Sequence, residues 1–256
     1  MLEARHLVKR FSGVTAVGDV SFVLRPGEIV GYLGPNGSGK STTAKLLTGL
    51  LTPTSGQVLF GDRDIQGDLV GFRRRLGYVP EEPLLYPFLS GREFLQLVGR
   101  LRELPETVLV RKIDAMLELF GLGAAADQSI SAYSKGMKQK VLITAALLHD
   151  PDVLILDEPD SGLDVTMTVV LRHLVQTLAR RGKAVMYSSH VLDLVERLCS
   201  RIIVLNRGRV VADDTVDGLR HLKASGSLEE VFGQLVLRQD PERLAADIAD
   251  VVTASA

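Results

Sequence analysis

The chain has one cysteine, Cys199, in 256 residues. An internal disulfide is therefore impossible, and with no second soft ligand nearby a structural zinc site has no basis; a reducing compartment is the natural setting. Charge of one sign is lacking too. Thirty Lys and Arg against 31 Asp and Glu leave a formal charge of -1, which gives no support to DNA or RNA binding through a basic face. The densest basic run, Arg73-Arg74-Arg75, reads as a solvated helix face. A long apolar run is also missing. The longest charge-free stretch, Leu46 to Gly61, is broken by Thr52-Pro53-Thr54-Ser55-Gly56, whereas a membrane-spanning helix needs about 20 mostly apolar residues. Met1 to His6 meets charge at once and has no apolar signal core. The expectation is a cytosolic chain without a transmembrane segment, an internal repeat or a low-complexity tract.

What is present is ordinary globular material, 46% hydrophobic and 24% charged, enough for one domain or a domain with a subdomain. Val20, Phe22 and Leu24 alternate before Arg25-Pro26-Gly27, which predicts an antiparallel β-layer in the first thirty or so residues. Ile29 to Leu33 is a buried-strand run feeding Gly34-Pro35-Asn36-Gly37-Ser38-Gly39-Lys40-Ser41. A helix from Lys40 to Leu51 follows, with Ala44, Leu47 and Leu50 or Leu51 inward. Strands are expected at Gly56 to Phe60 and Leu76 to Val79. Helices at about Gly91 to Glu103 and Glu106 to Phe120 form an insert, set at about 86–133.

A further helix starts at the Ser134 turn, carries Met137, Val141, Ala145 and Leu148 on one face, and stops at Asp150-Pro151. Val153 to Leu156 and Ala184 to Tyr187 are continuous apolar runs, as in a parallel sheet covered on both faces, with a helix from about Val165 to Arg181 between them. Ile202 to Leu205 and Val210 to Ala212 flank a glycine turn and read as a hairpin. The fold class is α/β: a phosphate-loop NTPase core with a mostly parallel sheet, an N-terminal antiparallel β-subdomain and an inserted α-helical subdomain. The main domain is placed at 1–222. Residues 223–256 form an extension with amphipathic helices at Ser227 to Leu237 and Pro241 to Val252.

The chemistry gathers at a few places. Glycines in the 34–41 loop let backbone N–H groups from Asn36 to Lys40 close around phosphates, Lys40 adds a mobile charge, and Ser41 offers a hard oxygen to Mg²⁺. Asp157 ends a buried strand and Glu158 follows at once, a pairing that packing does not explain. Asp157 suits a metal through a water, and Glu158 suits the attacking water. His190 follows Ser188-Ser189 at the same sheet edge, where α/β proteins bind their ligands; His6, His149, His173 and His221 have no such position. Tyr133-Ser134-Lys135-Gly136-Met137 opens a helix and is a second anion seat. Two seats for one nucleotide imply two subunits.

In their order, the phosphate loop through Thr42, Tyr133 to Met137, Asp157-Glu158, Ser161-Gly162-Leu163-Asp164 and His190 resemble the nucleotide-binding subunits of ABC transporters. The likeness runs from about Leu2 to Leu222. It implies ATP and Mg²⁺ as ligands, with Asn36, Gly37, Ser38, Gly39, Lys40, Ser41 and Thr42 on the phosphates and Ser41, Asp157 and Glu81 toward the metal. Glu158 and His190 are implied as catalytic. Phe11 is implied to stack on adenine, the alternative being a core Phe. Ser134 and Gly136 would reach the γ-phosphate on a second copy's Lys40, with Asp164 at the interface of a head-to-tail dimer.

Three departures stand out. Glu81 occupies the place where the family has glutamine; Lys135 and Met137 replace glycine and glutamine; and Tyr133 replaces leucine. Lys135 either adds charge at the seat or points to solvent. The segment with Pro80-Glu81-Glu82-Pro83 and the tail resemble the exporter branch, whose permease is a separate polypeptide. Residues Pro83 to Val98 match the permease-docking region, and apolar Leu84, Leu85, Tyr86, Phe88 and Leu89 serve either docking or packing. The alternatives are an importer ATPase and a soluble ABC ATPase that does not transport.

Overall fold

The computed structural model describes residues 1–223 together with 230, 232, 233, 245, 249, 251 and 252. The two helices expected at 227–237 and 241–252 lie largely outside the described residues. In chain order the first elements are β1 (Leu2–Phe11), β2 (Val14–Leu24), β3 (Ile29–Leu33), α1 (Lys40–Leu47), β4 (Ser55–Phe60) and β5 (Arg63–Asp64). Next come α2 (Leu69–Arg73), β6 (Leu76–Val79), α3 (Gly91–Leu101), α4 (Glu106–Leu119) and α5 (Lys135–Leu147). The remainder is β7 (Val153–Asp157), α6 (Val165–Arg180), β8 (Ala184–Ser188), α7 (Leu192–Leu198), β9 (Arg201–Asn206), β10 (Arg209–Thr215) and α8 (Val216–Lys223).

Two sheets form. The first, in the order β2-β1-β4-β5, is antiparallel throughout. Its alternation turns Val20, Phe22 and Leu24 inward, as the sequence predicts. The second runs β10-β9-β3-β8-β7-β6, parallel from β9 to β6, with β10 returning as an antiparallel hairpin at the edge. Every residue of β3, β7 and β8 is buried, because helices cover one face of this sheet and the antiparallel layer with α1 covers the other. Phe22 and Tyr32 meet across that second interface with ring centroids 5.6 Å apart, a tilted pair that adds about 1 kcal/mol to the burial.

Helix starts follow capping chemistry. At α3, Glu93 N donates to Ser90 Oγ (3.2 Å) and Ser90 N donates to Glu93 Oε2 (2.8 Å), a reciprocal capping box. Met137 N donates to Ser134 Oγ at α5 (3.2 Å) and Met167 N to Asp164 Oδ1 at α6 (2.8 Å). Each such cap contributes about 1 kcal/mol. The insert helices close on a core of Leu95, Leu109, Ile113 and Leu117. Tyr133, in the place of the family's leucine, is buried there and donates its Oη to the Ala125 carbonyl at 2.6 Å.

Two local expectations are corrected. α1 stops at Leu47, four residues short of the predicted end, because Gly49 turns to φ +67° and Leu50 and Leu51 direct their N–H groups back to the Lys45 carbonyl. The Arg73-Arg74-Arg75 run is only in part the solvated helix face expected: Arg74 and Arg75 are exposed but lie past the end of α2, and Arg73 is half-buried. Arg73 donates to the Gly49 carbonyl at 2.7 Å, Arg74 pairs with Glu103, and Arg75 pairs with Asp152 while lying over the Phe60 ring. Three neighbouring side chains thus tie α2 to three different segments. Among the described residues, no helix is long and apolar enough to cross a membrane.

Candidate functional site

The C-terminal ends of β3, β7 and β8 open together into a cavity of about 500 Å³. Its lining contains every residue from Pro35 to Thr42, together with Ala16, Glu81, Asp157, Glu158 and His190. The structure thus brings these sequence-singled residues together in one cleft, with Ala16 at the start of β2, which carries no motif, added to them.

The loop is built so that only glycine fits at two points. A Cβ on Gly34 would sit 2.3 Å from the Leu205 carbonyl and 2.5 Å from Ser38 Oγ; one on Gly39, at φ +105°, would sit 2.4 Å from the Ala16 carbonyl. Lys40 Nζ donates inward to the carbonyls of Gly34 (2.6 Å) and Pro35 (3.3 Å), so the loop curls around its own ammonium. Burial lowers the Lys40 pKa, opposed by the carboxylates of Glu158, Asp157 and Glu81. The cradle thus offers N–H groups and one cation to a polyphosphate, and it fits that group in shape and charge.

Three carboxylates face this one ammonium. Asp157 is almost fully buried; its Oδ1 accepts from Ser188 Oγ at 2.6 Å, and its Oδ2 is buried without a hydrogen-bond partner. An unpaired buried carboxylate oxygen is costly, and its position beside Ser41 and Glu81 in the cleft lining suits a hydrated cation. Ser41 Oγ donates to Glu81 Oε2 at 3.3 Å. Among the described residues no group of three or more His, Cys, Asp or Glu is placed to hold a metal unaided. That donor set suits Mg²⁺, which keeps several waters and takes oxygens from phosphates.

Glu158 stands at φ +50°, unusual for a residue with a side chain, and is held there by its N–H donating to the Ser188 carbonyl at 3.2 Å. Burial pushes its carboxyl above the ordinary carboxylate range. The charge and backbone N–H of His190 pull the other way, and Asp160 and Asp157 add to the rise. Ser188, absent from the motif reading, is thus a shared clamp on both acids. Its only sequence signal is a small hydroxyl at the strand end, two residues before His190.

Other predicted residues lie elsewhere. Phe11 does not line the cleft and is not in the core; the residue is 44% exposed, with Lys9 Nζ 5.1 Å from its ring centroid. Ser134, Gly136 and Asp164 are also outside the cleft lining. They form a second cluster. A Cβ on Gly136 would lie 2.5 Å from the Gly162 carbonyl, and one on Gly162 would lie 2.8 Å from Lys135 Cγ, so the start of α5 and the 161–164 loop are interlocked. Gln139 Nε2, buried, donates to the Pro159 carbonyl at 2.9 Å and strengthens the same contact. The Lys135 stem therefore lies along Gly162, and the residue as a whole is exposed. Leu84, Tyr86 and Phe88 are strongly exposed, whereas Leu85 and Leu89 pack against the core.

Comparison with known proteins gives the family and the fold. A family model described as ABC transporter matches residues 17–161. The uncharacterized ABC transporter ATP-binding protein YhcH of Bacillus subtilis is 39% identical over 223 residues, covering 85% of this chain and 72% of that protein. The linearmycin resistance ATP-binding protein LnrL of the same organism is 37% identical over 215 residues, covering 84% and 69%. A solved structure of an ATP-binding subunit of an ABC transporter superposes with a TM-score of 0.86 at 34% identity, over 92% of this chain and 99% of that one. Sequence and fold thus match together over nearly the whole described chain, and the protein belongs to the ABC transporter family as one of its ATP-binding subunits.

Proposed function

We propose that the chain hydrolyses ATP in a head-to-tail dimer and so drives a separate membrane permease, in the direction of export. The observation that carries the two-chain reading is the split between the two phosphate seats. One chain supplies the loop, Asp157, Glu158 and His190 in a single cleft, while Ser134, Gly136 and Asp164 stand outside that cleft. A second copy would bring its own Ser134 seat over the first copy's nucleotide.

In this reading Lys40 exchanges its contacts with the Gly34 and Pro35 carbonyls for the terminal phosphates. Glu158 orients the attacking water and accepts its proton as the new P–O bond forms and ADP departs, and its raised pKa improves it as a base near neutrality. His190 holds the Glu158 carboxylate in place. Ser41, Glu81 and Asp157 would hold Mg²⁺, which would neutralise phosphate charge when bound. Phe11, exposed at the end of β1, would stack on the adenine.

Residues 1–222 are assigned as the ATP-binding domain, with the helical insert at 86–133. Leu84, just ahead of that insert, and Tyr86 and Phe88 at its start are exposed apolar side chains suited to contact a permease helix. Such docking would hold the chain to the cytosolic face of the membrane. The export direction is supported by the resistance role in the name of LnrL.

Mixing two inactive variants tests the arrangement. Ser134→Arg and Lys40→Ala should each lack turnover as homodimers. Their mixture should recover activity, because one of its two sites combines an intact Lys40 with an intact Ser134. No recovery would refute a head-to-tail site.

A further inference from the structure

Asp160 belongs to none of the motifs, yet both of its carboxylate oxygens are engaged by the strand that leads to His190. Tyr187 Oη donates to Oδ1 at 3.0 Å and Ser189 Oγ donates to Oδ2 at 3.2 Å. Tyr187 and Ser189 are buried. Burial, followed by the charge and the hydrogen bond of Asp160, pushes the Tyr187 phenol far above its ordinary range, so the phenol stays protonated and remains a donor. Ser189 Oγ in turn accepts from Val191 N at 3.2 Å, which closes the turn around His190.

On its own side, Asp160 is fixed by the loop. Ser161 N donates to the Glu158 carbonyl and Leu163 N to the Asp160 carbonyl, both at 3.1 Å. Asp160 thus stands two residues after Glu158 and four before Asp164, and grips the residues either side of Ser188.

We infer that Asp160 is a positioning residue for ATP hydrolysis, holding the 187–191 turn so that His190 stays against Glu158. The turn needs such a holder. The His190 side chain is more than half exposed, and its contacts to Glu158 are long, 3.3 Å from Nε2 and 3.2 Å from the backbone N–H. Misplacement of a catalytic group by about 1 Å costs about a hundredfold in rate, so a fixed turn is worth much more to turnover than to folding. The bond from Tyr187 crosses 27 residues of sequence and joins two strand ends that the parallel sheet already sets side by side. A carboxylate with one oxygen for each donor is the side chain that can hold both.

The inference rests on the hydrolytic reading proposed above, and two measurements keep the two apart. In the full chain, Asp160→Ala should lower kcat by about ten- to a hundredfold, with ATP affinity from calorimetry within about twofold of wild type. Tyr187→Phe should cost less, and the double variant should be no slower than Asp160→Ala, because both changes remove the same tie. Asp160→Asn, which keeps the volume and one accepting oxygen, should fall between wild type and alanine. Wild-type kcat in Asp160→Ala, or additive losses in the double variant, would overturn the assignment. Amide exchange across 187–191 is read in the same proteins without ATP, and should be faster in Asp160→Ala than in wild type. Equal exchange would overturn the assignment even if wild-type protein proved inactive, an outcome that would refute the hydrolytic reading separately.

Discussion

His190 Nε2 lies 3.3 Å from Glu158 Oε1 while the His190 backbone N–H donates to Glu158 Oε2 at 3.2 Å. One residue thereby addresses both oxygens of the buried carboxylate. Replacing Glu158 by glutamine keeps the shape and the contact to the backbone N–H but removes the base. Glu158→Gln should bind ATP as wild type does, hydrolyse it at least a hundredfold more slowly, and accumulate an ATP-bound dimer on gel filtration. Turnover at the wild-type rate would remove Glu158 from the mechanism.

Glu81 puts a third carboxylate into a cleft that receives a polyanion, and its contact with Ser41 brings that charge to the phosphate side. Glu81→Gln should therefore tighten binding of ATP in EDTA and weaken the dependence of ATP binding on Mg²⁺. Calorimetric titrations at several Mg²⁺ concentrations measure this; superimposable curves for the two proteins would show that the charge has no influence.

The contact between Gly136 and the Gly162 carbonyl leaves no room for a methyl group. Gly136→Ala must move the start of α5 away from the 161–164 loop. Nucleotide affinity of the monomer should be unchanged, because neither residue lines the phosphate cleft, whereas turnover should fall by about a hundredfold, as for loss of one preorganised donor. A parallel loss of affinity would contradict the separation of the two seats.

His149 gives a pH dependence unrelated to ATP. Its Nε2 donates to the Leu76 carbonyl at 2.9 Å, its Nδ1 is buried without a partner, and burial, reinforced by Arg102, lowers its pKa to about 4. The unfolded chain takes up this proton at about pH 6.5, so it binds more protons than the folded one between pH 6.5 and 4. Stability from this group is complete above pH 6.5 and is lost as the pH falls toward 4. His149→Gln should flatten that slope by about 1 to 2 kcal/mol, allowing for solvent screening, as measured by urea unfolding at a series of pH values. An unchanged slope would place the titration elsewhere.

Legibility from sequence differed by residue for physical reasons. The phosphate loop was readable because its glycines and lysine are constrained by local backbone geometry. The strands at 153–157 and 184–188 were readable because burial on both faces leaves a continuous apolar run. Asp157-Glu158 showed itself as charge where packing wants none. Ser188, Asp160 and Tyr187 were not legible, since their partners are 27 to 31 residues away and a serine or tyrosine at a strand end carries no periodic signal. The early end of α1 was missed because Leu50 and Leu51 continue the helical pattern although Gly49 has already turned the chain. Arg74 and Arg75 are exposed as their charge suggests, but the acceptors around Arg73, Arg74 and Arg75 were not legible, because a charge run in sequence says nothing about which partners surround it.

The inward turn of Lys40 toward the Gly34 and Pro35 carbonyls has a kinetic meaning. A glycine-rich segment would ordinarily sample many conformations, and a ligand would have to select one of them at an entropic cost. Here the ammonium ties the loop to two of its own carbonyls and acts as an internal template that narrows what the loop can sample. A loop held this way has little ordering left to do on binding, so the encounter rate should be set by diffusion and charge instead of by loop ordering.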